Sequence, residues 1–206
     1  VRFQSFWDLS NYYWSSNSAH VAMGNTTELR GLTFDFAAGE VLLVDKPLNW
    51  TSFNVVAKLK YRIKPAKKIG HAGTLDPLAT GLLIICTGKK TKEIESYMGQ
   101  IKEYTGVIQL GVITPSYDYE TEPSEHRDYK HIQESEVLSA IENHFLGEIE
   151  QVPPVFSAIK VDGKRSYDLA RKGEAQELKK RNVTVETFEI TRFEFPNLHF
   201  RIVCSK

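Results

Sequence analysis

The sequence predicts an α+β fold, a mixed and largely antiparallel sheet flanked by helices. Three observations carry that prediction. Strand-like and helix-like stretches follow one another without the regular strand–helix–strand alternation of a doubly wound domain. Residues 183 to 204 form two strand-like runs broken at Pro196-Asn197, the pattern of an antiparallel pair. The second run alternates Leu198, Phe200, Ile202 and Cys204 against His199, Arg201 and Val203, the period of a half-buried strand.

Taken in order, the first part of the chain, VRFQSFWDLSNYYWSSNSAHVAMGNTTELRG, is rich in aromatics, Ser and Asn and has no clear period. Residues 1–38 are therefore expected to be an N-terminal extension, without an assigned role, ahead of a domain over 39–206. GEVLLVDKP reads as a short buried strand ending at a Lys-Pro turn. TSFNVVAKLKYRI reads as a helix with a Thr or Ser N-cap and a buried face of Phe53, Val56, Ala57 and Leu59. KPAKK is a linker, GHAGTLDPLATG a glycine-punctuated loop, GLLIICTG a buried strand, and TKEIESYMGQ a short helix. KEYTGVIQLGV is an alternating strand, and 114–127 a polar loop. Val137, Ile141 and Phe145 give 134–145 a helical period. PPVFSAIKVDGKRSYDLARKG reads as strand, Asp-Gly turn and helix.

Composition removes several function classes. The 206 residues are 41% hydrophobic and 25% charged, an ordinary globular balance. The apolar run Leu82 to Cys86 is far too short to span a bilayer, and no secretory leader pattern opens the chain. Cys86 and Cys204 are too few for a disulfide framework or a zinc cluster, so a cytoplasmic setting is expected. The formal net charge is +0, but the charges segregate. Lys58, Lys60, Arg62, Lys64, Lys67 and Lys68 crowd into KLKYRIKPAKK, whereas acids gather in DYETEPSEHRD. Such segregation permits a basic face for phosphates, and equally a solvated helix face beside acidic loops.

The stretch that carries chemistry is GHAGTLDPLATG, residues 70 to 81. Its glycines allow tight turns, and Pro77 stiffens the backbone after Asp76. A catalytic carboxylate needs such a rigid mount, and a nearby cation keeps it ionised and nucleophilic. Asp followed by Pro also starts helices, with Asp as N-cap and Pro at the first helical position, and the dipeptide alone favours that reading. A P-loop is excluded, because Leu83 and Lys90 stand where it needs Gly and Ser or Thr. His71 and Asp76 lack a third neighbouring metal ligand, so no metal is expected.

The longer string GHAGTLDPLATGLLIICTGKKTK closely resembles the catalytic motif of the TruB family of pseudouridine synthases. VDKPLNWTSFNVV resembles the family's Lys-Pro motif, KEYTGVIQLG its Tyr-bearing strand, and QVPPVFSAIKVDGKRSYDLAR a further block, in family order. The resemblance runs from Gly39 to Lys206. It implies a pseudouridine synthase-like fold and the isomerisation of uridine 55 in the TΨC loop of tRNA. Asp76 would be the nucleophile, His71 would displace and pin the RNA loop, and Tyr104 would stack on the flipped uracil. Lys46, Gly73, Thr74 and Lys160 would join them in binding substrate. An isomerisation needs no cofactor. The implied partner is the tRNA TΨC stem-loop, with neither a membrane nor an obligate protein partner. The family pattern continues past Cys204-Ser205-Lys206 with a CSKGTYIR-like run, whose Arg pairs with the nucleophile. The chain is therefore expected to be truncated there and to turn over weakly or not at all. Two further readings stay open: a guide-RNA-dependent synthase of the dyskerin type, and a non-catalytic tRNA-binding or RNA-folding protein.

Overall fold

The computed structural model describes residues 34–63, 68–154, 160–161, 164–166 and 178–206. It has the α+β character expected from the sequence, and its described residues fall into two compact units divided between Tyr104 and Thr105.

The first unit is built on strands β1 (Val41–Lys46), β2 (Ile69–Ala72) and β3 (Gly81–Thr87). They form an antiparallel sheet in the order β1-β3-β2. The central strand has a neighbour on each side, which is why GLLIICT is apolar almost throughout, with Leu83 and Ile85 fully buried. Helix α1 (Ser52–Arg62) packs Val55, Val56, Leu59 and the following Ile63 onto Leu42, Val44, Leu83 and Ile85. Its cap is Thr51, whose Oγ1 accepts from Asn54 N at 3.0 Å while Asn54 Oδ1 accepts from Thr51 N at 2.8 Å. The buried face differs from expectation: Phe53 is 69% exposed and Ala57 is exposed. At about 100° per residue the stripe running through 52, 55, 56, 59 and 63 faces the sheet, and 53 and 57 fall outside it. After β3 a 3-10 turn (Gly88–Glu93) leads into the short α2 (Ile94–Met98). Gly88 has φ +50, and a Cβ there would lie 2.5 Å from the Ala37 carbonyl, so this backbone crossing requires glycine.

A second sheet, mostly of second-unit residues, has the order β4-β11-β10-β7, from β4 (Lys102–Gln109), β7 (Gly147–Gln151), β10 (Arg181–Glu194) and β11 (Asn197–Cys204), with β10 antiparallel to both β11 and β7. The break at Pro196 is the predicted one, and β10 and β11 pair from Val185↔Cys204 to Glu194↔Asn197. Segment 114–127 is not wholly loop, because β6 (Glu125–His126) pairs with β5 (Val112–Ile113). Helix α3 (Glu134–His144) buries Ile141, while Phe145 is 47% exposed with its ring edge-on to Phe188. Strands β8 (Lys160–Val161) and β9 (Lys164–Arg165) pair antiparallel. The Asp-Gly turn between them, the helix expected after it, and Ser157, Ala158 and Tyr167 lie outside the described residues.

Candidate active site

The glycine-punctuated stretch is only partly loop. Ile69 to Ala72 pair with β3, placing His71 opposite Ile85, and an irregular segment from Gly73 carries Thr74, Leu75 and Asp76 back to Gly81. Gly73 takes φ +102, a conformation that side-chain-bearing residues rarely adopt, and its Cβ position faces open space. The carbonyl of Gly73 hydrogen-bonds His71 Nδ1, which ties the imidazole to the loop's first turn. No helix follows Asp76. Pro77 and Leu78 form a turn closed by Ala79 N donating to Asp76 O at 3.0 Å. The helix-cap reading of Asp76-Pro77 is thereby corrected: the chain needs only a reversal here before it enters β3.

The loop is gripped from below on both sides of the acid. Ser52 is 2% exposed; its Oγ accepts from Leu75 N at 2.9 Å and donates to Leu75 O at 3.2 Å. The Leu75 side chain packs on the core cluster. One residue beyond the acid, Pro77 O accepts from Asn49 N at 2.8 Å. Asn49 itself has φ 64 in the turn after β1. Asp76 remains exposed between these anchors.

Lys46 supplies the third support. Its side chain is 0% exposed, and Nζ donates to Trp50 O at 2.5 Å, Pro47 O at 3.0 Å and, at the long limit, Pro77 O at 3.5 Å. Burial pushes the ammonium below its ordinary pKa, and the Asp76 carboxylate pulls it part of the way back. That attraction is mutual, so Lys46 is a favourable counter-charge for the carboxylate. A buried cation under an exposed acid on a clamped loop can hold a nucleophile ionised and in place.

The expected site residues thus divide. Lys46, His71, Gly73, Thr74 and Asp76 belong to one loop and its support. Lys46 reaches carbonyls rather than the surface, because the end of β1 runs under the loop. Tyr104 is half-buried on β4 at the end of the first unit. Lys160 belongs to β8, and its side chain lies outside the described residues. Lys58, Lys60, Arg62 and Lys68 are exposed, while Lys64 and Lys67 lie outside the described residues. Ser52 and Asn49 were not anticipated. The only sequence signal for Ser52 was its place in the Thr-Ser cap, where Thr51 does the capping and Ser52 is left to hold the loop. Among the described residues, no group of three His, Cys, Asp or Glu side chains could hold a metal ion, and no helix is long and apolar enough to cross a membrane.

A family model described as TruB family pseudouridylate synthase (N terminal domain) matches residues 60–206. The chain belongs to that family. Its members are isomerases that act on RNA. The chain is 54% identical over 178 residues to tRNA pseudouridine synthase B of Flavobacterium johnsoniae, covering 84% of this chain and 77% of that protein. The corresponding enzyme of Phocaeicola vulgatus is 52% identical over 177 residues, covering 84% and 75%. Among solved structures, a chain of a Cbf5-Nop10-Gar1 complex is similar at TM-score 0.58 and 27% identity. That match covers 82% of this chain but only 40% of the Cbf5-complex chain.

Proposed function

We propose that this chain carries the catalytic site of a tRNA pseudouridine synthase that converts uridine 55 of the TΨC loop, with Asp76 as nucleophile. The observation that carries the reading is the exposed Asp76 carboxylate on a loop held by Ser52 and Asn49 and backed by the buried Lys46 ammonium. Relatives named tRNA pseudouridine synthase B at 54% and 52% identity support tRNA as the substrate. The residues to which this chemistry is assigned all lie within 39–206.

A uridine stacked in an RNA loop must be everted before its glycosidic bond can be reached. Lys58, Lys60, Arg62 and Lys68 take backbone phosphates. His71 occupies the space the base leaves, and Tyr104 stacks on the everted uracil. Gly73 and Thr74 approach the nucleotide by their backbone, and Lys160 adds a cation to the bound RNA. Asp76 then promotes cleavage of the N1–C1′ bond by attack on the ribose or on the uracil. The uracil turns, C5 bonds to C1′, the bond to Asp76 breaks and frees the carboxylate, the C5 proton is lost and N1 gains one. Atoms balance without any co-reactant. Lys46 acts from beneath, as the counter-charge that keeps the attacking carboxylate ionised.

The test is Asp76→Asn in the full-length protein. Product is expected to disappear while binding to a TΨC stem-loop stays within a few-fold of wild type. Pseudouridine formation by the variant would overturn the assignment of the nucleophile. The similarity to the Cbf5-complex chain raises a guide-dependent alternative, at about half the identity of the tRNA-enzyme relatives. Conversion of a naked stem-loop without added RNA or protein decides for the stand-alone enzyme.

A further inference from the structure

The first unit carries a second feature, next to the loop that holds Asp76. Asn49, Trp50, Asn54 and Lys58 line an open cleft of about 350 Å³, at the small end of ligand-sized sites. Its chemistry is mixed in a particular way. Trp50 is half-buried, packed in part against the core, and also lines the cleft. Asn54 commits Oδ1 to the helix cap, which leaves its amide NH₂ for another acceptor. Lys58 stands one turn further along α1, exposed. Among the described residues, the side chains of Asn49, Trp50 and Lys58 have no hydrogen-bond or ion-pair partner. An aromatic surface, two amides and an ammonium around one small cleft suit a nucleobase with its phosphate.

We propose that this cleft is a subsite for one unpaired nucleotide of the RNA other than the target uridine. The base lies against Trp50, its edge meets the Asn49 and Asn54 amides, and its phosphate meets Lys58. The inference rests on the reading of the protein as an RNA pseudouridine synthase and deepens it. The location supports it, because Asn49 N–H is bonded to Pro77 O, one residue past the nucleophile. A strand seated there shares a wall with the loop that holds Asp76. The surrounding surface supports it as well. Phe53 and Tyr61 are 69% and 74% exposed on α1, which also carries the exposed Lys58, Lys60 and Arg62. Exposed rings among cations make a stacking platform for single-stranded nucleic acid.

The experiment uses the full-length protein and a set of TΨC stem-loops, each with one unpaired nucleotide made abasic. Affinities are measured for wild type, Trp50→Leu, Lys58→Ala and, as a control outside the cleft, Lys60→Ala. For wild type, one abasic position other than the target is expected to weaken binding roughly fivefold or more. That penalty vanishes in Trp50→Leu and persists in Lys60→Ala. Lys58→Ala is expected to flatten the slope of log affinity against log salt by roughly 0.7, one single-strand phosphate's share. The subsite is overturned if no abasic penalty depends on Trp50, or if Lys58→Ala leaves the salt slope unchanged. If wild type fails to convert the unmodified stem-loop, the functional reading itself falls; conversion without a Trp50-dependent position removes only the subsite.

Discussion

Replacing Ser52 by Ala tests whether the loop under Asp76 is held as the geometry indicates. The change removes one oxygen atom that makes two hydrogen bonds, at 2.9 and 3.2 Å, to the amide and carbonyl of Leu75. Each neutral bond contributes about 0.5–1.5 kcal/mol net, so the loss is about 1–3 kcal/mol. Ser52 is the first residue of α1, where alanine's better helix propensity returns up to about 0.5 kcal/mol. A net loss of about 0.5–3 kcal/mol should appear as a lower urea midpoint at unchanged slope. The local effect is sharper, because the Leu75 amide loses its acceptor. Its hydrogen exchange should accelerate, by about tenfold for each 1.4 kcal/mol of opening energy lost. Leu75 adjoins Asp76, so the carboxylate loses its upstream anchor. A displacement of about 1 Å at a reacting group can cost on the order of 100-fold in rate. Turnover should therefore fall well beyond what the small unfolded fraction explains, with RNA affinity little changed. Wild-type exchange at Leu75 together with wild-type turnover would refute the claim that Ser52 holds the loop.

Lys46→Met separates burial from charge. In the wild type the folded-state pKa of Lys46 lies below its ordinary 10.5, so the unfolded chain binds the proton more tightly. Stability should then rise with pH between that lowered value and 10.5, and the wild-type-minus-Met difference from urea unfolding should rise with it; a falling difference would contradict the burial argument. Turnover of Lys46→Met should drop at neutral pH, because the favourable charge of Lys46 near Asp76 is removed. Gly73→Ala should cost about 1–3 kcal/mol from backbone strain alone, since its Cβ would enter open space at φ +102. Gly88→Ala should be worse, with a Cβ placed 2.5 Å from Ala37 O, and thermal melts that order the two the other way would contradict this. Thr51→Ala should remove about 0.5–2 kcal/mol by breaking the capping box, read from the same melts.

Much of the fold was legible because it follows from local pattern. VLLV and LLIIC are apolar runs that only a covered sheet can accommodate, and they became β1 and β3. Thr51 ahead of an amphipathic run became the helix cap, and Pro196-Asn197 became the break between β10 and β11. The errors have a common source in partners distant along the chain. His71 looked like a loop residue because glycines flank it, yet it pairs with Ile85 of β3. Phe53 looked like core because it is large and apolar, but the helix phase set by Val55, Val56 and Leu59 turns it outward. Glu125 and His126 looked like polar loop, and only their pairing with Val112 and Ile113 makes a strand of them.

The role of Lys46 was the least legible, and strand register explains it. Lysine is almost never fully buried, so a Lys-Pro dipeptide reads as a surface turn. Yet Lys46 ends β1 opposite Gly81, the first residue of β3. Antiparallel pairing therefore brings the chain leaving β1 alongside the chain entering β3. The segment Pro47 to Trp50 and the segment Asp76 to Pro77 must then pass close together, some thirty residues apart in sequence, as Asn49 N bonded to Pro77 O confirms. Both segments turn away from the sheet there and point carbonyls into the gap. Three such oxygens, from Pro47, Trp50 and Pro77, surround Nζ and replace the water it has lost. A neutral side chain of the same length would leave those dipoles without that donor and would remove the favourable Lys46 charge felt by Asp76. The Lys-Pro and Asp-Pro motifs are in this sense one device, folded together by the register of a single strand pair, and neither can be interpreted without the other.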